Sequence, residues 1–143
     1  MTSLLRAGRQ PAGPVAAYSS FGSEPPTGPL LSALATAGVA VLLPVLLPDG
    51  DLDWSQDGAS QGREAIGRCP LVVVPALLVD RGGNRLGRGG GSYDRALTRA
   101  AGALTVAALY DEELVDRLPV EPHDLPVRSV LLPARGLVPL PLT

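Results

Sequence analysis

The chain has 143 residues, which is the length of one domain by the prior of roughly 100–200 residues per domain. Hydrophobic residues make up 45%, enough to build a core and to exclude a disordered chain, while one Cys and one His cannot assemble a Cys/His zinc centre. All 12 basic residues are Arg, which excludes a Walker A loop and a Schiff-base lysine, and a net charge of −2 gives no basic field for nucleic acid.

Residues 1–13 read as a short polar lead-in. Val15 to Tyr18 is an apolar run between Pro14 and Ser19, predicted as a buried strand. Thr27 to Ala37 is predicted as a helix, with Thr27 as N-cap, Pro29 tolerated in its first turn and Gly38 as its stop. Val39 to Val45 is a second strand. Leu46 to Arg68 is rich in Gly, Asp, Gln and Ser, and reads as a loop with one turn of helix. Pro70 to Pro75 (PLVVVP) is β-branched and apolar on both faces, as in a parallel strand covered on both sides.

A Gly-rich segment follows, from Asp80 to Asp94. Tyr93 to Ala101 is predicted as a helix with Ala96, Leu97 and Ala100 on one face. Leu104 to Leu109 is a strand, Asp111 to Leu118 a short acidic helix, and Ser129 to Leu132 the last strand. The tail 136–143 is apolar and broken by Pro; it docks on the body or covers a partner subunit. Alternating strands and helices define an α/β protein with a mainly parallel sheet, in a single domain over residues 1–143. With no basic-then-apolar leader and no apolar run of about 18 residues, the expectation is a cytoplasmic protein without a membrane partner.

The Gly-rich segment is the main functional signal. Gly82, Gly83, Gly87, Gly89, Gly90 and Gly91 permit positive φ and close approach to a ligand. Their N–H groups and the following helix N-terminus suit an anion, and Arg85 and Arg88 add forked donors. The segment lies beyond the carboxyl end of a strand, where open α/β sheets bind ligands. His123, the only His, is a candidate for acid–base work or a surface loop residue. Cys69 reads as a small buried hydrophobe.

The string VVVPALLVDRGGNRLGRGGGSYDRAL, residues 72–97, resembles the signature of the 5-formyltetrahydrofolate cyclo-ligases, the 5,10-methenyltetrahydrofolate synthetases. VAAYSSFGSEPPTGPLLSAL (15–34) is similar to that family's first strand, Glu-bearing loop and helix, and LPVEPHDLPVRSVLLP (118–133) to its Asp-containing loop and last strand. The resemblance implies a three-layer, Rossmann-like α/β fold with a mainly parallel sheet. It also implies a reaction in which ATP and Mg²⁺ turn an N5-formyl group into a methenyl bridge: the formyl oxygen is phosphorylated, N10 attacks, and phosphate leaves. Carried over, Glu24 and Tyr93 are the catalytic candidates, facing the formyl group and pterin. Arg85, Gly87, Arg88, Gly89, Gly90, Gly91, Ser92 and Trp54 are the substrate- or anion-binding candidates. Asp94, with Asp124, would hold Mg²⁺; both also read as helix caps or loop charges.

The chain departs from that pattern. The family's N-terminal helical segment, with its Lys and Arg for phosphate, has no counterpart before the first strand, and the stretch after Trp54 is short. Ser92 stands where an aromatic is usual, and Arg128 where Asp is frequent. From these departures the expectation is a repurposed member that runs acid–base chemistry at a C–N or C=O carbon of a small molecule without ATP. The alternatives are the ATP- and Mg²⁺-dependent conversion of 5-formyltetrahydrofolate and a non-catalytic nucleotide- or folate-binding module. The missing layer would leave a sheet face open, which predicts a homodimer.

Overall fold

The computed structural model describes residues 13–88, 91–121 and 125–142. Five mutually parallel strands form its centre: β1 (Val15–Ala16), β2 (Val41–Leu46), β5 (Leu71–Val74), β8 (Leu104–Ala108) and β10 (Ser129–Leu132). Three antiparallel strands extend the sheet: β3 (Leu52–Gln56) and β4 (Ala59–Ser60) beyond β2, and β11 (Gly136–Pro139) beyond β10. The spatial order is β11-β10-β8-β5-β1-β2-β3-β4. The tail therefore docks on its own sheet, and Ser129–Leu132 is not the last strand.

Two helices, α1 (Gly28–Thr36) and α2 (Ser92–Arg99), lie on opposite faces. Along each central strand, alternate side chains feed two cores. Val15, Leu71, Val73, Val106 and Leu131 pack with Leu30 and Leu34 of α1. Ala16, Val72, Val74 and Ala107 pack toward Trp54, Ile66 and the Ala96–Leu97 face of α2. Leu30 and Leu34 are fully buried, each contributing about 2 kcal/mol by transfer out of water. The three expected layers are present. Val73, Val106 and Leu131, which pack against α1, are at most 5% exposed. The expected N-terminal departure falls mostly on residues 1–12, which lie outside the described residues.

Three other expectations are corrected. The region 46–68 is not a loop but the β3–β4 hairpin followed by a 3₁₀ helix over Arg63–Arg68. Asp57 (φ 51°) and Gly58 (φ 84°) turn the hairpin with positive φ at both central positions, the geometry that matches strand twist. The Asp111–Leu118 helix is only a 3₁₀ turn over Asp111–Glu113, followed by β9 (Leu114–Val115). The Gly-rich segment itself contains β6 (Leu78–Asp80) and β7 (Arg85–Leu86), which form a small second sheet with β9 in the order β7-β6-β9.

Candidate active site

The crossover from β1 leads to β2 on one side, while β5 connects to β8 on the other. The winding of the chain thus reverses between the parallel neighbours β1 and β5, and a crevice opens beyond their carboxyl ends. Two contiguous lobes fill it. The first, about 450 Å³, is lined by Arg85, Gly87, Arg88, Gly91, Tyr93 and Asp94 among others. The second, about 390 Å³, is lined by Tyr18, Phe21, Glu24, Pro44, Arg88 and Tyr93 among others. Arg88, Tyr93 and Pro75 belong to both.

The loop leaving β1 is held from inside. The Thr27 hydroxyl, expected to cap α1, makes no cap bond; it donates to the Tyr18 carbonyl at 2.8 Å and accepts from the Ser20 N–H at 2.9 Å. This staple fixes the approach to Glu24. One Glu24 oxygen accepts from the Phe21 N–H at 2.9 Å, and the other meets the Arg88 guanidinium at 3.5 Å. Arg88 is half exposed and lies 5.1 Å over the Phe21 ring.

Tyr93 stands in the first turn of α2. Its hydroxyl is buried and has no hydrogen-bond partner. Burial first, then the nearby Tyr18 and Glu24, push this phenol well above its ordinary pKa, against the opposing pull of Arg85. Arg85 sits 5.7 Å from the Tyr93 ring centre, donates to the Pro75 carbonyl at 3.0 Å and meets Asp94 at 3.3 Å. Its side chain is only 7% exposed. A Cβ at Gly87 would lie 2.8 Å from the Arg85 guanidinium, so a side chain there would displace the end of Arg85. Among the described glycines of this segment, Gly83 and Gly91 take positive φ, at 97° and 71°, whereas Gly82 and Gly87 do not.

Glu24, Tyr93, Arg85, Gly87, Arg88 and Gly91 therefore line one crevice. Two candidates do not serve as expected. Ser92 lines the first lobe, but its hydroxyl donates to the Gly50 carbonyl at 2.7 Å and so anchors α2. Trp54 is fully buried beneath the crevice, edge-on to Tyr93 at 6.4 Å, and forms core rather than wall. Asp94 is engaged by Arg85, and no cluster of three His, Cys, Asp or Glu converges among the described residues. Gly89, Gly90, His123 and Asp124 lie outside the described residues.

Sequence reasoning missed Asp80. Its buried carboxylate accepts from the Gly82 and Asn84 N–H groups, the Asn84 amide and the Leu118 N–H, between 2.9 and 3.1 Å. Burial opposes its ionisation, but these donors outweigh burial and hold its pKa below the ordinary value. Asp80 thereby fixes the turn that presents Arg85. The Asp at the end of an apolar strand, four residues before Asn84, was the available signal.

Fold and crevice together define a small-molecule enzyme of the α/β class. A profile of the 5-formyltetrahydrofolate cyclo-ligase family matches residues 55–133. The chain is 42% identical to the 5-formyltetrahydrofolate cyclo-ligase of Mycolicibacterium smegmatis, over 88% of this chain and 76% of that protein. It is 34% identical to the Escherichia coli K12 protein of the same name, over 85% and 78%. Among solved structures, the 5,10-methenyltetrahydrofolate synthetase of Mycoplasma pneumoniae superposes with a TM-score of 0.69 at 18% identity, over 81% of this chain and 70% of that one. The Aquifex aeolicus 5,10-methenyltetrahydrofolate synthetase gives 0.70 at 23%, over 89% and 71%, and both likenesses speak to the fold. The chain belongs to the 5-formyltetrahydrofolate cyclo-ligase family. No helix among the described residues is long and apolar enough to cross a membrane.

Proposed function

We propose that the chain converts 5-formyltetrahydrofolate to 5,10-methenyltetrahydrofolate, with ATP as second substrate. The observation that carries this reading is the meeting of Glu24 and the unpartnered Tyr93 hydroxyl in one crevice with the arginines of the Gly-rich loop. The 42% identity to a named cyclo-ligase weighs the choice toward the family reaction and away from repurposed chemistry.

The residues present fit a phosphate. The first N–H groups of α2 have no partner within the helix, and the half-exposed Arg88 stands beside them. Among the described residues Asp94 is paired with Arg85, and no three His, Cys, Asp or Glu side chains converge to hold magnesium. ATP supplies the phosphoryl group that makes the formyl oxygen a leaving group. In the second lobe Tyr93 donates a hydrogen bond to the formyl oxygen and holds the carbon facing N10. Glu24 accepts the proton that N10 loses as the ring closes.

A specific observation favours a second reading, acid–base chemistry without ATP: both crevice arginines are already paired within the chain. One assay separates them. Methenyl formation from 5-formyltetrahydrofolate, followed by absorbance with and without ATP–Mg²⁺, is expected only with nucleotide and in step with ADP release. Turnover without nucleotide supports the second reading. No turnover by the folded protein under either condition refutes both for this substrate.

A further inference from the structure

The second lobe holds a phenol that the reaction above does not use. Tyr18 directly follows the fully buried run of β1 and Ala17, and is itself 5% exposed. Its backbone is fixed on two sides. The Ala17 N–H donates to the Leu42 carbonyl at 2.9 Å, and the Tyr18 carbonyl accepts from the Thr27 hydroxyl at 2.8 Å. A residue on so rigid a base can place a hydrogen bond with little loss of freedom on binding.

Leu43 and Pro44 give the lobe apolar walls suited to the faces of a flat ring, while Tyr18, Tyr93 and Glu24 supply its polar groups. Burial, then the Glu24 and Glu113 charges, raise the Tyr18 phenol above its ordinary pKa, and Tyr93 is raised as well. Both phenols therefore keep their protons and act as donors at any working pH. The Glu24 carboxylate opposes an anionic ligand in the same space. Two fixed donors beside a negative charge select a neutral group with an oxygen acceptor. Phosphate and carboxylate tails are left to the Arg88 side.

We infer that Tyr18 is a further substrate-binding residue, whose hydroxyl donates to a ring carbonyl oxygen of the substrate's neutral heterocycle in the second lobe. The inference rests on the folate reading above. It makes Tyr18 a determinant of which end of the substrate enters this lobe.

The test is calorimetric titration with 5-formyltetrahydrofolate, without nucleotide, of the wild-type chain and Tyr18→Phe. One lost hydrogen bond to a neutral acceptor is expected to weaken binding by about five- to ten-fold. KM should rise by the same factor, with kcat changed by less than about two-fold and the melting temperature kept. A substrate analogue lacking the ring carbonyl oxygen is expected to bind the wild-type chain more weakly by a similar factor; this arm needs no variant and stands if Tyr18→Phe fails to fold. Equal binding of the folate by wild type and variant, or of folate and analogue by wild type, overturns the role of Tyr18 and leaves the reaction standing. A wild-type chain that does not bind the folate overturns both.

Discussion

Arg99 grips Asp51 with two guanidinium nitrogens, each 2.8 Å from a different carboxylate oxygen. Arg99 ends α2, and Asp51 immediately precedes β3. At the other end of the same helix, Ser92 donates to Gly50. Both ends of α2 are thus clamped to consecutive residues of the β2–β3 turn, and the helix carrying Tyr93 cannot slide along the sheet. Arg63 adds a third nitrogen to Asp51 at 3.2 Å.

This clamp makes stability depend on acid. The Arg99 hydrogen bonds, then the Leu52 N–H, hold the Asp51 pKa far below its ordinary value of 3.8. A carboxyl lowered on folding stabilises the fold above its unfolded pKa, and that contribution is lost as pH falls through the folded value. Thermal melts of wild type and Asp51→Asn should therefore differ most near pH 7. The gap should narrow progressively below about pH 4. A gap that stays constant down to pH 2 would show that packing, not charge, carries the clamp.

Tyr93→Phe separates chemistry from folding. A buried hydroxyl without a partner costs about 1–3 kcal/mol, so removing it should leave the melting temperature unchanged or higher. Loss of a positioned proton donor should lower kcat by about 10²-fold. A variant that keeps wild-type kcat would return Tyr93 to the core.

Gly83→Ala tests the base of the Gly-rich loop. Gly83 has φ 97°, and a Cβ would lie 2.3 Å from the Val127 carbonyl oxygen. The Val127 N–H also donates to the Gly83 carbonyl at 2.8 Å, so neither strand of the chain can withdraw without breaking the other's bond. Strain at such a position costs about 1–3 kcal/mol, and denaturant melts should show at least that loss. A change below about 0.5 kcal/mol would mean that residues 125–127 move aside freely.

The parallel core was legible because PLVVVP and its partner strands are apolar on both faces, a pattern set by local composition. The Glu24–Tyr93 pairing was legible only through a resemblance, since nothing local places residues 69 positions apart in one crevice. The β3–β4 hairpin was missed although Leu52, Trp54 and the Asp57-Gly58 turn carry a period-two signal; polar partners at 53, 55 and 56 made it look like loop. Trp54 misled for a different reason. It stands with the candidates that accompany the resemblance, whereas its alternation with Asp53 and Ser55 in β3 points it inward. The Arg99–Asp51 and Asp80–Leu118 contacts span 48 and 38 residues, and such separations leave no mark in local pattern.

Nucleotide affinity is where charge accounting is sharpest. A triphosphate needs cations that face it, and the chain has no Lys. Of the two arginines lining the first lobe among the described residues, Arg85 is turned inward to Pro75 and Asp94, and Arg88 leans on Glu24. Arg88 must leave Glu24 to reach a phosphate, so the Glu24 charge competes directly with the ligand. Wild-type affinity for ATP–Mg²⁺ should therefore be near millimolar, about −4 kcal/mol, rather than the roughly −8 kcal/mol of a micromolar site. Glu24→Gln keeps an oxygen for the Phe21 N–H but releases Arg88. This variant should bind ATP–Mg²⁺ several-fold more tightly while losing about 10²-fold in kcat, because the proton acceptor is gone. Calorimetry and the methenyl assay on the same two proteins check both halves. Tight ATP binding by wild type, unchanged in Glu24→Gln, would mean that the phosphates are held elsewhere and that the Glu24–Arg88 pair is only a surface contact.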